Sequence, residues 1–282
     1  MQKYSYFCAV KNLNDIIHPI ATELQQFEAF FIQTLKADTE PMNTIMRYVL
    51  ETKGKRLRPT LVLLSTKLFG ELNEKTLRAA TFVEMLHSAT LIHDDVIDDD
   101  DQRRGQSSVK ARFGNLSAVL AGDYLLAKAM LLIANDADIL NEMLRTTAAM
   151  SEGELMQGIV SLPQCDNRCG SNRLPLYDRP TNQYLDIITR KTAMLMRSCC
   201  VVGALSVGAT KKQIEQISDF GLNFGILFQL RDDILDGENA RQAKALLPEY
   251  LKKTLDSLRP FPVSETLDAL HELAMFCAER PE

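Results

Sequence analysis

Residues 74–99 read EKTLRAATFVEMLHSATLIHDDVIDD, and this stretch decides the fold class. It holds no proline or glycine, is rich in strong helix formers, and lacks the apolar/polar alternation of a half-buried strand. The same character extends outward on both sides. No proline occurs between Pro59 and Pro163, nor between Pro180 and Pro248, and both intervals are rich in Leu, Ala, Met, Glu and Lys. Proline is poorly tolerated inside helices, so its absence maps where helices can run. The pattern predicts an all-α chain with helices over 11–36, 41–52, 57–69, 74–99, 115–134, 138–160, 181–206, 210–237, 241–257 and 263–279. Two connections are longer: 99–115, with Arg103, Arg104 and Gly105, and 161–180, punctuated by Pro163, Gly170, Pro175 and Pro180. Neither reads as an interdomain linker, because the flanking helices are too apolar to stand alone. A single helical domain over 1–282 is expected, with no repeat of fixed period.

The 282 residues are 46% hydrophobic and 24% charged, which suits a globular core and excludes disorder and collagen-like repeats. The richest apolar stretch, Leu116 to Ala134, is interrupted by Asp123 and Lys128, so no transmembrane segment is expected. The N-terminal MQKYSYFCAVKNLND has no compact apolar region with a small-residue cleavage site, which points to a cytoplasmic chain. Cys8, Cys165, Cys169, Cys199, Cys200 and Cys277 read as reduced thiols, their spacing differing from that of zinc-binding pairs.

The net charge of −5, from 37 acidic and 32 basic residues, is unevenly spread. Six aspartates fall within 94–101 and three within 232–236; without these nine, 28 acids face 32 bases and the rest of the chain is mildly basic. The two clusters share one form: Asp94-Asp95-Val96-Ile97-Asp98 and Asp232-Asp233-Ile234-Leu235-Asp236, each closing an apolar helix. Residues four apart share a helix face, so Asp94 with Asp98 and Asp232 with Asp236 set like charges side by side. Acidic helix ends are common on solvated surfaces, but two in the same register after core-like runs call for a cation. Oxygen-only ligands point to a hard ion, Mg²⁺ or, as a substitute, Mn²⁺. Two such helices facing each other would clamp a phosphorylated ligand. Asp99, Asp100 and Asp101 belong to the loop and are given no ligand role. The complement is basic: Gly54-Lys55-Arg56-Leu57-Arg58-Pro59 before a helix, Arg103-Arg104-Gly105 after the first cluster, and Lys191-Thr192. Together they suggest one diphosphate held through metal and another held by Arg and Lys directly.

At this point the chain resembles the trans-isoprenyl diphosphate synthase family, the head-to-tail polyprenyl synthases. The matching segments are GKRLRP (54–59), HSATLIHDDVIDDDDQRRG (87–105), GDYLLAKA (122–129), GELMQ (153–157), YLDIITRKTAML (184–195) and GILFQLRDDILD (225–236). The resemblance implies an all-α isoprenoid-synthase-type bundle with a central active-site cavity, a homodimer, and Mg²⁺-dependent joining of an allylic diphosphate to isopentenyl diphosphate. It assigns Asp94, Asp95, Asp98, Asp232, Asp233 and Asp236 to metal. Arg103 and Lys191, with Thr192 and Gln229 nearby, go to the allylic diphosphate. Lys55, Arg58, His87 and Arg104 go to isopentenyl diphosphate. No nucleic acid partner is implied.

The chemistry implied is loss of diphosphate to an allylic carbocation, attack by the isopentenyl double bond, and proton loss. The departing diphosphate is the first candidate for the proton and His93 the side-chain alternative, although a structural hydrogen bond suits His93 better. Small Ala89 and Thr90 upstream of Asp94 disfavour a C15 stop. Phe82, Met85 and Leu86, further up the helix, are candidate walls of a deeper chain-length pocket, and C20 or longer is predicted. One departure stands out: after Asp236 the family's K-P-x-G-x-D and G-K-x-T segments are missing, only 46 residues follow, and Lys244 is the nearest basic substitute. This shortened C-terminal region keeps open a catalytically weak, isoprenoid-diphosphate-binding subunit of a heteromeric synthase. A terpene cyclase fits less well, having little use for GKRLRP.

Overall fold

The computed structural model of the chain describes residues 12–51, 54–158, 180–237 and 239–280. The expectations for Cys8, Cys165, Cys169 and the 161–179 stretch lie outside the described residues. In chain order the helices are α1 (Leu13–Ile16), α2 (Ala21–Thr34), α3 (Glu40–Glu51), α4 (Leu57–Phe69), α5 (Glu74–Ile97), α6 (Val109–Phe113), α7 (Asn115–Leu132), α8 (Ala137–Gly158), α9 (Thr181–Ile188), α10 (Met194–Ser206), α11 (Lys211–Asp236), α12 (Ala240–Asp256) and α13 (Glu265–Glu279). The all-α expectation holds. Among the described residues the strands are two-residue pieces, β1 (Gln102–Arg103) and β2 (Gln106–Ser107), paired antiparallel with Arg103 opposite Gln106.

Three predicted segments differ from what forms. The helix over 11–36 is split by a 3₁₀ turn at His18–Ile20, where Pro19 cannot donate an N–H to a continuing helix. The helix over 181–206 is interrupted by a one-turn π-helical segment, Thr189–Ala193, that carries Lys191 and Thr192. The 99–115 connection folds into the β1–β2 hairpin and α6.

The described residues form two compact units. One takes in the described residues within 22–148 and 198–214; the other takes in those within 1–21, 149–197 and 215–282. In the first unit α5 packs against α4 and α7. Its N-cap, Asn73, accepts a 3.0 Å hydrogen bond from the Thr76 N–H, and its middle is buried nearly all round: Ala79, Ala80, Phe82, Val83, Met85, Leu86 and Ala89. The helix stops at the first aspartate cluster, where Asp99 turns to φ 58, a left-handed conformation that ends α-helical propagation. The second unit has a core of Tyr184, Ile188, Ala193, Ile226, Leu230 and Ala243. Gly225 of α11 meets the π turn there: a Cβ on Gly225 would stand 2.5 Å from Ala193 Cα, so glycine permits the close approach.

By length and composition α7 is apolar enough to cross a membrane, despite Asp123 and Lys128. It packs along α5 through Ala118, Ala121, Leu125 and Ala129, and leaves Leu116, Val119, Leu120 and Leu131 exposed. Cys199, Cys200 and Cys277 are buried and outside any disulfide among the described residues.

Candidate active site

In the first unit, the three cations of GKRLRP part company. Arg56 stands just before α4 in a left-handed conformation, φ 51 and ψ 32. Its guanidinium is turned inward: Nε donates to Glu28 Oε1 at 2.7 Å, Nη1 donates to Glu84 Oε1 at 2.6 Å, and the group lies 4.9 Å above the Phe31 ring. Burial works against this charge, and Glu84 and Glu28 outweigh it, so the Arg56 pKa is raised. Lys55, by contrast, is exposed, and Arg58 is half-buried in the first turn of α4. The Arg104 guanidinium lies over the bare backbone of Gly54, where a Cβ would come within 2.5 Å of Nη1. A pocket opens beside these residues, lined among others by Arg56, His87, Asp95, Arg103 and Arg104. Burial first, and then the charges of Arg58, Arg104, Arg103 and Arg56, hold the His87 imidazole well below the ordinary histidine range. It is neutral at pH 7 and offers one N–H donor and one acceptor nitrogen.

The first aspartate cluster is sorted by the end of α5. Asp95 is buried and accepts from Arg103 Nε at 2.7 Å, with Arg103 Nη2 on the same oxygen. Burial raises the Asp95 pKa while Arg103 works against the rise. Asp94 is half-buried and Asp98, the C-cap, is exposed. Arg103 and Arg104 ride on the hairpin, which closes through Ser108: its N–H donates to Asp101 O at 2.9 Å and its Oγ to Asp100 O at 2.8 Å. Lys110, buried in α6, reaches Asp99 at 2.5 Å and Asp101 at 3.4 Å. The three aspartates denied a ligand role thus build the loop that carries both arginines. His93 Nε2 donates to the Val119 carbonyl at 3.2 Å, tying α5 to α7, which is the structural role preferred for it over proton transfer.

In the second unit, Asp233 of α11 is buried between two donors: the Tyr184 hydroxyl at 2.5 Å from Oδ2 and Gln229 Nε2 at 2.7 Å from Oδ1. Gln229 Oε1 in turn accepts from Thr192 Oγ1 at 2.7 Å, so Thr192, Gln229, Asp233 and Tyr184 form one chain. Burial, then the Asp233 carboxylate, raise the Tyr184 phenol above its usual range and keep it a donor. Asp232 pairs with Arg280, Asp236 is exposed at the end of α11, and Lys191 forms a 2.7 Å ion pair with Glu154.

No three His, Cys, Asp or Glu side chains among the described residues converge on a metal position. The donor chemistry still fits a hard cation that keeps several waters and takes few protein carboxylates: Asp94 with Asp98 and Asp232 with Asp236 are all-oxygen pairs at helical spacing. Phe82, Met85, Leu86 and Ala89 are buried in the first unit's core, and Thr90 is half-buried with its hydroxyl on His87 O; none borders the pocket just described. Lys244, the nearest basic substitute after Asp236, is exposed on α12. Sequence reasoning missed Tyr184, Glu84 and Lys110, because a tyrosine in an apolar helix or a lone Glu or Lys carries no local signal of its partner.

The family described as polyprenyl synthetase matches residues 39–245. The octaprenyl diphosphate synthase of Haemophilus influenzae is 32% identical over 78% of this chain and 64% of its own length. Component 2 of the heptaprenyl diphosphate synthase of Geobacillus stearothermophilus is 33% identical over 77% of this chain, again 64% of its own length. The chain therefore spans a little under two thirds of these relatives. In fold, the polyprenyl synthase from Caulobacter crescentus, solved with calcium and isoprenyl diphosphate, superposes with a TM-score of 0.84 at 24% identity, covering 97% of this chain and 99% of that one.

Proposed function

The chain belongs to the polyprenyl synthetase family, and on that footing we propose that it is a Mg²⁺-dependent prenyltransferase. It condenses isopentenyl diphosphate with an allylic diphosphate to make an all-trans polyprenyl diphosphate of C20 or longer. The observation that carries this reading is the pocket where neutral His87 meets Arg103 and Arg104 beside the Asp94–Asp98 helix end. Lys55, Arg58, His87 and Arg104 hold the isopentenyl diphosphate. Arg103, Lys191, Thr192 and Gln229 hold the allylic diphosphate. Asp94, Asp95, Asp98, Asp232, Asp233 and Asp236 are the metal ligands, some through the hydrogen-bonded carboxylates described above. Mg²⁺, with Mn²⁺ as a substitute, supplies neutralisation of the charge on the departing diphosphate. The guanidinium and ammonium groups stabilise that same charge as the C–O bond breaks. The allylic cation is attacked by the isopentenyl double bond, and a proton then passes to the released diphosphate, restoring an alkene.

Chain length follows the buried small side chain of Ala89 and half-buried Thr90, with Phe82, Met85 and Leu86 as the deeper wall, and the products named for the relatives support C20 or longer. We place the protein in the cytoplasm as a homodimer, with the exposed Leu116, Val119, Leu120 and Leu131 of α7 as the candidate contact. The name of the Geobacillus relative favours a second reading, one component of a two-part synthase. The experiment is incubation of the purified protein with Mg²⁺, labelled isopentenyl diphosphate and, in separate runs, dimethylallyl or farnesyl diphosphate, with products sized by reversed-phase chromatography. Products of C20 or more support the reading, and a C15 stop from dimethylallyl diphosphate contradicts it. Silence alone with activity restored by a partner component selects the second reading.

A further inference from the structure

We infer that Arg56 is a positioning residue of the isopentenyl-diphosphate site: it does not touch the substrate, but holds the backbone from which Lys55 and Arg58 reach it. This rests on the site reading above. By charge alone the three cations of Lys55-Arg56-Leu57-Arg58 are equivalent candidates for a diphosphate, and the family resemblance takes only Lys55 and Arg58. In the fold Arg56 borders the pocket, but its side chain is only 12% exposed and its nitrogens are spent on two carboxylates from two different helices, Glu28 of α2 and Glu84 of α5. A third anion would meet a group already surrounded by two negative charges. What Arg56 does supply is a fixed point. Its left-handed φ of 51 is costly for a residue with a Cβ and persists only where neighbouring contacts determine it. The bridge to α2 and α5 is such a contact, and it lies between the exposed Lys55 and the first turn of α4 with Arg58. The same segment carries Gly54, against which Arg104 rests. Releasing Arg56 would therefore let Lys55, Arg58 and the Arg104 seat drift together, weakening one substrate and not the other.

Two variants separate positioning from direct contact. Arg56→Lys keeps the charge but cannot span both carboxylates, since a single ammonium replaces a planar fork. Glu28→Gln leaves Arg56 intact and removes one holder at a side chain that is 35% exposed, so folding is preserved if the first variant is unstable. Calorimetric titration of wild type and both variants with isopentenyl diphosphate alone gives affinity without turnover. Steady-state kinetics with both substrates then gives KM and kcat. Arg56→Lys should weaken isopentenyl diphosphate binding about tenfold, equivalent to about 1.4 kcal/mol. Glu28→Gln should weaken it in the same direction by a smaller factor. The allylic KM and kcat should stay within about twofold of wild type. Unchanged affinity in Arg56→Lys overturns the inference, as does tighter binding by Glu28→Gln, which would mean a freed Arg56 grips the diphosphate itself. Wild-type protein that fails to bind isopentenyl diphosphate at all overturns the underlying site reading, and the inference with it.

Discussion

Tyr184→Phe removes one oxygen atom from the fully buried side chain that holds Asp233, and its consequences can be worked through. Asp233 is 6% exposed, and its Oδ2 accepts from the Tyr184 hydroxyl while Oδ1 accepts from Gln229. Phenylalanine fits the same space, so no cavity or clash confuses the result. What is lost is one hydrogen bond to a carboxylate shielded from water, worth about 1.5–3 kcal/mol. In a chain of this size each kcal/mol moves Tm by about 2–4 °C, so a fall of about 4–8 °C is expected for a loss near 2 kcal/mol. Because Gln229 still holds Oδ1, far-UV circular dichroism should be unchanged. A carboxylate that has lost one of its donors is less well oriented for a cation, so half-maximal activity should need more Mg²⁺. The assay is differential scanning calorimetry without added metal, followed by a Mg²⁺ titration of turnover. A Tm within about 1 °C of wild type, below the range set by one buried charged hydrogen bond, together with an unshifted Mg²⁺ midpoint, would refute the argument that Tyr184 orients Asp233.

Asp95→Ala should reduce turnover by roughly 10²–10³-fold, the scale of losing one charge-stabilising group, with helicity intact; wild-type turnover would remove Asp95 from the mechanism. Lys110→Met cuts the ties to Asp99 and Asp101, so limited proteolysis within the 98–108 loop should accelerate and KM for both diphosphates should rise, as Arg103 and Arg104 ride on that loop. An unchanged cleavage rate would show that Ser108 alone closes the hairpin. His87 is held well below the ordinary value of 6.5, so below that pH the unfolded chain takes up a proton that the folded one does not. Its contribution to stability is full above pH 6.5 and is lost as pH falls from there through the folded-state value. His87→Gln should flatten the acid side of the Tm–pH curve, and parallel curves for the two proteins would contradict the shift.

Much of the fold was legible because helix formation is read locally. α4 runs over 57–69 as the proline map and composition predict, and α5 ends at the first aspartate cluster. Where the prediction failed, the cause was a local detail with long-range support: Pro19 breaking an amphipathic run, and a π turn admitted by Gly225 packing on Ala193. The candidate site was legible as far as residue types and helical spacing go. Asp94 with Asp98 and Asp232 with Asp236 share a face by periodicity alone.

Which member of each motif is spent on structure was decided elsewhere. The carboxylates that hold Arg56 lie 28 residues before and 28 after it, and the phenol on Asp233 comes from 49 residues away. An all-helical chain with two carboxylate pairs and a set of basic segments follows from local pattern, because hydrogen-bonded helices repeat every few residues. That Asp95 and Asp233 are buried, that Arg56 is ion-paired and mostly covered, and that Lys55, Asp98 and Asp236 face solvent came from the packing, because burial and ion pairing depend on which distant residues the packed helices bring alongside.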